Sequence, residues 1–171
     1  MSARNAALGG AALGAATAAV AGRSPAAIVI TGAFVALLAA VSVIDLRERR
    51  IPNVWTYPAV LLALIVSAVA GPGTLLLALG GFAVAGGFFA LMFIVGRGRL
   101  GMGDVKLGAA SGAVLGLAGA PAFLFLGTFA GALAASAMLL RGAGRTATFA
   151  YGPSLAVGAA IAILWQGPLV S

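Results

Sequence analysis

Only three acidic residues stand in this chain of 171. Two are aspartates in comparable places. Asp45 lies in Val41-Ser42-Val43-Ile44-Asp45-Leu46-Arg47, and Asp104 lies in Gly101-Met102-Gly103-Asp104-Val105-Lys106. Each marks a point where a long apolar run meets a basic, polar loop. The third acid, Glu48, sits mid-loop among arginines. The chemistry open to such a chain is narrow. It has no histidine and no cysteine, which excludes Ser-His-Asp and Cys-His catalysis, disulfides, and metal held by His or Cys. Carboxylates or a lysine must therefore do any chemistry. Two carboxylates close in space cannot easily both ionise, so they share a proton; one then acts as general base on a water and the other as general acid. That is aspartyl-protease chemistry, and it needs no metal and no cofactor. Gly101 and Gly103 let backbone approach Asp104 closely, whether from a substrate strand or another helix.

Each aspartate also has a plain structural reading. Asp45 would be an interfacial residue pairing with Arg47 or Arg49, and Asp104 a helix N-cap, where carboxylates are favoured. Taken together these readings weaken. Ser, Thr or Asn would cap as well, and ionisable residues at a membrane boundary are functional candidates by default.

The elements that must position the pair are membrane helices. The chain is 63% hydrophobic and 8% charged, with a mean hydropathy of +1.17; a soluble domain is about 45–50% apolar and about 25% charged. Long uncharged apolar runs fill most of the length, which predicts an all-α, polytopic transmembrane helical bundle. Spans are expected over residues 26–44, 54–70, 74–95, 104–118, 121–140 and from Pro153 to about Gln166. Turns are expected at Gly71-Pro72-Gly73 and Gly119-Ala120, and Asn53 is expected to cap the helix that follows Pro52. Residues 1–25 form an Ala/Gly-rich segment, set apart from a membrane domain over 26–171. Up to Gly22 it reads as a signal peptide, as a disordered tail, or as a weak extra span rich in small residues. The extra span is the favoured reading, giving six spans, or seven with it.

The net charge is +7, and its placement follows topology rather than nucleic-acid binding. Eight of the ten Lys and Arg fall in segments 45–53, 96–106 and 141–148, while the turns at 71–73 and 119–120 hold none. The two sets alternate along the chain, so the positive-inside rule puts Asp45 and Asp104 on one, cytoplasmic, face of the cell membrane. Trp55, Tyr57 and Trp165 fit interfacial positions. Lys106 reads as a snorkelling anchor ahead of a role in substrate or dyad electrostatics. For Arg47, Arg49 and Arg50 topology comes first, and contact with anionic membrane lipids second.

On these residues the sequence resembles the type IV prepilin peptidases, membrane aspartyl proteases of the GxGD class. The resemblance rests on Asp45 with the following Ile51-Pro52-Asn53, on Gly101-Met102-Gly103-Asp104-Val105-Lys106-Leu107, and on Phe149-Ala150-Tyr151-Gly152-Pro153. The last is similar to the family's closing Pro-Phe-Gly-Pro, with Ala150 for the first Pro and Tyr151 for Phe. It covers roughly residues 26–166. It implies an endopeptidase that removes the short basic leader of prepilin-like proteins of pilus or secretion systems, with Asp45 and Asp104 as catalytic dyad. Gly101, Gly103, Lys106, Pro52, Asn53, Gly152 and Pro153 are implied as supporting residues. Longer family members carry a cysteine-containing cytoplasmic insert associated with methylating the new N-terminus. This sequence looks like the short form, for which N-methylation is not expected. The altered closing segment sets any contact by Tyr151 in question. Two other functions compete: a small ion- or proton-coupled transporter with the aspartates as relay, and a non-catalytic scaffold of a pilus or secretion machine.

Overall fold

The computed structural model describes residues 2–97, 100–142 and 150–170, with Val20 lacking a described side chain. Arg99 and Arg145 of the basic loops, and Phe149 of the closing segment, lie outside the described residues. The described chain is all-α. Its six helices are α1 (Ala3–Val20), α2 (Pro25–Glu48), α3 (Asn53–Ala70), α4 (Pro72–Val95), α5 (Met102–Leu140) and α6 (Gly152–Gln166). Helices α2 to α5 are long and apolar enough to cross a membrane, and α6 is a shorter apolar helix.

Local chemistry sets the boundaries. Ser2 and Ser24 cap α1 and α2 by accepting the N–H of Asn5 and Ala27, each at 3.2 Å, and Pro25 supplies the φ of a first helical residue. The N-terminal segment is therefore an ordered helix and not a tail. It packs on α2 through small residues: Gly10 lies against Val35 and Ala39, and Gly14 against Thr31. Asn53 does not cap α3. The capping position is Pro52, which has no side chain able to accept a hydrogen bond, and Asn53 is the first helical residue.

The expected break between the spans at 104–118 and 121–140 lies elsewhere than its turn residues suggested. Gly119, Ala120 and Pro121 are helical, and the interruption is Gly116, with φ 69 and ψ −178. This backbone region is essentially restricted to glycine. The chain reverses there. Gly108 packs on the ring of Phe89, and Phe123 meets the same ring at 6.0 Å between centroids. In a straight helix residues 108 and 123 would stand about 22 Å apart. The two parts of α5 therefore run antiparallel, residues 102–115 out and 117–140 back. The carbonyl of Val114, left without a helical donor by the reversal, accepts the N–H of Leu169 at 2.9 Å.

Helix α2 packs on α1 and α6, α5 on α6 and α4, and α3 on α4 and α5. Phe34, Leu38, Val41, Phe89, Phe123, Leu155 and Ile163 fill the centre. These contacts sort the connections to two ends. Asp45, Gly103, Tyr151 and Gly152 share one end. At the other, Arg23 donates from Nη1 to the carbonyl of Ile163 at 2.9 Å, and from Nη2 to those of Leu164 (2.6 Å) and Trp165 (3.2 Å). The guanidinium thus gives a donor to the carbonyls of Leu164 and Trp165, adds a second to that of Ile163, which also accepts the N–H of Gly167, and sits at the negative end of the α6 dipole.

Replacing Arg23 by Gln takes this donor from the carbonyls of Leu164 and Trp165 and removes a charge-assisted contact. We expect Arg23→Gln to lower stability by about 1.5–3 kcal/mol, read as a reduced thermal midpoint in detergent. Arg4→Gln, at an exposed position, should leave the midpoint in place. Equal midpoints for wild type and Arg23→Gln would rule out the tie as a stabilising feature.

Candidate active site

Asp45 was expected just beyond the end of a span. Instead α2 continues to Glu48, and Asp45 occupies its last turn, buried at 5% exposure. Its Oδ2 accepts the N–H of Gly152 at 3.0 Å, across 107 positions of sequence. Gly152 is the first residue of α6, so its N–H is one of the four amides that a helix start leaves unpaired, and the positive end of the helix dipole faces the carboxylate. The approach is close enough to demand glycine. A Cβ on residue 152 would stand 2.7 Å from Asp45 Oδ2 and 3.2 Å from Ile51 Cδ1. Pro153 follows within the first turn of α6, where a missing N–H costs nothing.

Asp104 is not the N-cap that its sequence position suggested. Helix α5 starts at Met102 after Gly101, which makes Asp104 its third residue. Its Oδ2 accepts the N–H of Gly101 at 3.0 Å, and its own N–H donates to the carbonyl of Gly101 at 3.0 Å. The carboxylate thus closes a capping box around a glycine. Asp104 is buried, at 7% exposure, and lies at the same end of the bundle as Asp45, with Ile51 against both Gly103 and Gly152. The two aspartates come from different helices, and each has one carboxylate oxygen fixed by the backbone N–H of a glycine.

Ile51 separates and aligns these two anchor points. It is buried, its Cβ occupies the space a side chain on Gly103 would need, and its Cδ1 faces Gly152. Tyr151 completes the wall. Its ring meets the edge of Phe89 at 6.4 Å and 67° and lies over Gly131. Burial, and after it the charge of Asp104, pushes the Tyr151 phenol above its ordinary value. The altered closing segment therefore keeps its contact with the site. The sequence pointed to Asp45, Asp104, Gly101, Gly103, Gly152 and Pro153. It did not single out Phe89 or Gly131, and it marked Ile51 only as part of a motif.

The remaining singled-out residues form a neighbouring cluster. Lys106 Nζ donates to Asn53 Oδ1 at 2.7 Å and lies 4.8 Å from the ring centre of Tyr57. Lys106 and Asn53 thus bind α5 to the first turn of α3, which Pro52 starts. Glu48 stands apart, in a surface ion pair with Arg50 at 2.9 Å.

The model of the type IV leader peptidase family matches residues 32–136, a stretch holding both aspartates. A prepilin leader peptidase/N-methyltransferase of Xanthomonas campestris pv. campestris is 32% identical over 139 residues, covering 78% of this chain and 48% of that protein. One of Aeromonas hydrophila is 32% identical over 135 residues, covering 75% and 47%. One of Bacillus subtilis (strain 168) is 31% identical over 143 residues, covering 81% and 56%. The chain spans about half the length of the curated relatives it matches. No solved structure matches it.

The partly buried phenol makes a prediction with a definite sign. Above the ordinary phenol value of 10.0 the unfolded chain loses the Tyr151 proton while the folded chain still holds it. Folding stability then falls as pH rises. Thermal unfolding measured at pH values on either side of that point should show a steeper alkaline loss in wild type than in Tyr151→Phe. Identical slopes would place Tyr151 in water rather than in the wall of the site.

Proposed function

The chain belongs to the type IV leader peptidase family, and from that membership we propose that it is an aspartic-type endopeptidase that removes the leader of prepilin-like proteins. It is a multi-pass membrane protein. In our reading α2, α3, α4, the two antiparallel parts of α5, and α6 are six spans, and α1 is a seventh. The site end faces the cytoplasm. Among the described Lys and Arg, Arg23 alone falls in a connection at the far end, and its charge is taken up by carbonyls of α6. That distribution supports the positive-inside orientation.

One observation carries the reading. Two buried carboxylates from separate helices stand at one end of the bundle on either side of Ile51, each oriented by a backbone N–H. In the proposed reaction one carboxylate takes a proton from a water whose oxygen attacks the scissile carbonyl. The other gives a proton to the carbonyl oxygen. Collapse of the tetrahedral species then breaks the C–N bond as a proton passes to the leaving amine. The pair acts as a unit. The relatives' printed names, prepilin leader peptidase/N-methyltransferase, support the substrate class. The proposal takes over the peptidase activity alone. A transporter relay would favour the midplane, at broken helices. Both aspartates instead sit at one end of the bundle, which suits access from water on one side.

The test is cleavage of a prepilin-like substrate by the purified full chain in lipid, with products identified by mass spectrometry. Asp45→Asn and Asp104→Asn should each lose at least about 10³-fold in rate, at the strong end of general acid–base contributions, while unfolding at wild-type temperatures. A folded variant of either kind with full activity would sink the dyad. Gly152→Ala places a Cβ against Asp45 Oδ2, and its rate should fall about 10–100-fold, as a displaced catalytic group requires. An unaffected Gly152→Ala rate would show that this hydrogen bond does not set the position of Asp45 in the reaction.

A further inference from the structure

We infer that the groove between α3, α4 and the start of α5 is a binding site for an anionic phospholipid, with one acyl chain in the groove and the headgroup phosphate on Lys106. The groove has a volume of about 380 Å³ and is lined by residues including Tyr57, Val60, Phe82, Gly87, Val105 and Lys106. Its walls are apolar except at the Lys106 end. It is partly open, and its described lining comes from α3, α4 and α5. Only Thr56 and Ser67 of α3 are buried, so this helix touches the bundle lightly and leaves a furrow beside α4.

Charge and depth together select the occupant. The groove is apolar and of ligand size, within the roughly 300–1,000 Å³ of ligand pockets, and a single extended hydrocarbon chain suits such a lining. At the end of the furrow the Lys106 ammonium contacts the amide oxygen of Asn53 and the face of Tyr57. Both partners are neutral. An ammonium carries three donors, and Asn53 takes one of them, so the charge is held in place but not balanced by these contacts. A phosphate monoanion supplies that balance.

Depth agrees with this assignment. Lys106 lies in the first turns of α5, and Trp55 and Tyr57 beside it are 42% and 55% exposed, as aromatic side chains at the headgroup level are. A lipid phosphate at that height would meet Lys106 while its chain ran down the furrow toward the bilayer centre. A zwitterionic lipid brings its own cation and gains less from a lysine than an anionic lipid does. The site lies two residues from Asp104, so lipid composition would act on the first turn of the helix that carries this carboxylate.

The test uses the full chain in phosphatidylcholine vesicles holding a small fraction of phosphatidylglycerol with a photoreactive acyl chain. Cross-links are mapped by mass spectrometry. We expect labels on residues lining the groove, displaced by unlabelled phosphatidylglycerol and not by more phosphatidylcholine. Gly87→Leu adds a side chain at a groove-lining position where a Cβ meets nothing within 4 Å, and Lys106→Gln removes the charge. Each should cut groove labelling about five-fold or more, the effect of one basic residue near an anionic surface, while Lys106→Arg retains it. Thermal unfolding confirms that the variants are folded. Equal competition by phosphatidylcholine would mean ordinary boundary lipid and overturn the inference. So would unchanged labelling in Gly87→Leu, including the case where that variant instead weakens capture of an apolar peptide substrate.

Discussion

The structure depends most on one hydrogen bond, from the N–H of Gly152 to Asp45 Oδ2. A carboxylate buried at a helix end is costly unless donors face it. Here the donor is an amide that α6 cannot satisfy internally. One contact therefore solves two desolvation problems, one for each helix. It also fixes the relative height of α2 and α6, elements separated by most of the chain. Ile51 and Tyr151 take their places from that alignment, since both pack against what the bond brings together.

A bilayer offers apolar surfaces no reason to leave it, so close packing and polar ties must hold such a bundle. The chain uses both. Small residues bring α1 onto α2 at Gly10 and Gly14, and the reversal at Gly116 folds one long helical stretch into two packed parts. The polar ties lie at opposite ends. Arg23 binds the carbonyl end of α6, and Asp45 binds its amide end. Helix α6 is thus held by a cation at its negative pole and an anion at its positive pole, and in both cases the partner belongs to α2 or the connection leading into it. This double pinning gives a helix of only 15 residues a defined register.

Much of this was legible in the sequence, because hydropathy and punctuation are strong signals in membrane chains. The helix order, the grouping of basic loops and the two aspartates at one end could all be read there. What escaped reading was geometry at single residues. Gly119 and Pro121 carried the turn signal, yet Gly116 takes the left-handed conformation, since the return of the chain requires it where Gly81 and Leu169 crowd the backbone. Asn53 looked like a cap, but Lys106 claims its side chain. Phe89 and Gly131 carried no signal at all, as their part is to shape the space around Tyr151. A pattern names a residue's type and period, whereas its neighbours depend on the packing of helices far apart in sequence.

The bundle is unevenly bound, and the unevenness has a consequence for the two carboxylates. Asp45 is anchored to α6 and the packed centre, and Asp104 to its own loop glycine, with Ile51 between them. Among the described residues neither carboxylate is hydrogen-bonded to α3. Helix α3 instead meets α5 at Lys106, through Asn53 and Tyr57, and buries little else. Movement of α3 would thus loosen the flank of the site without disturbing the backbone donors that orient either aspartate. On the proposed peptidase reading, a substrate would need room beside the carboxylates and water a path to them. The contacts in this chain are dense around the two acids and sparse along the adjoining helix α3, a distribution that suits that requirement.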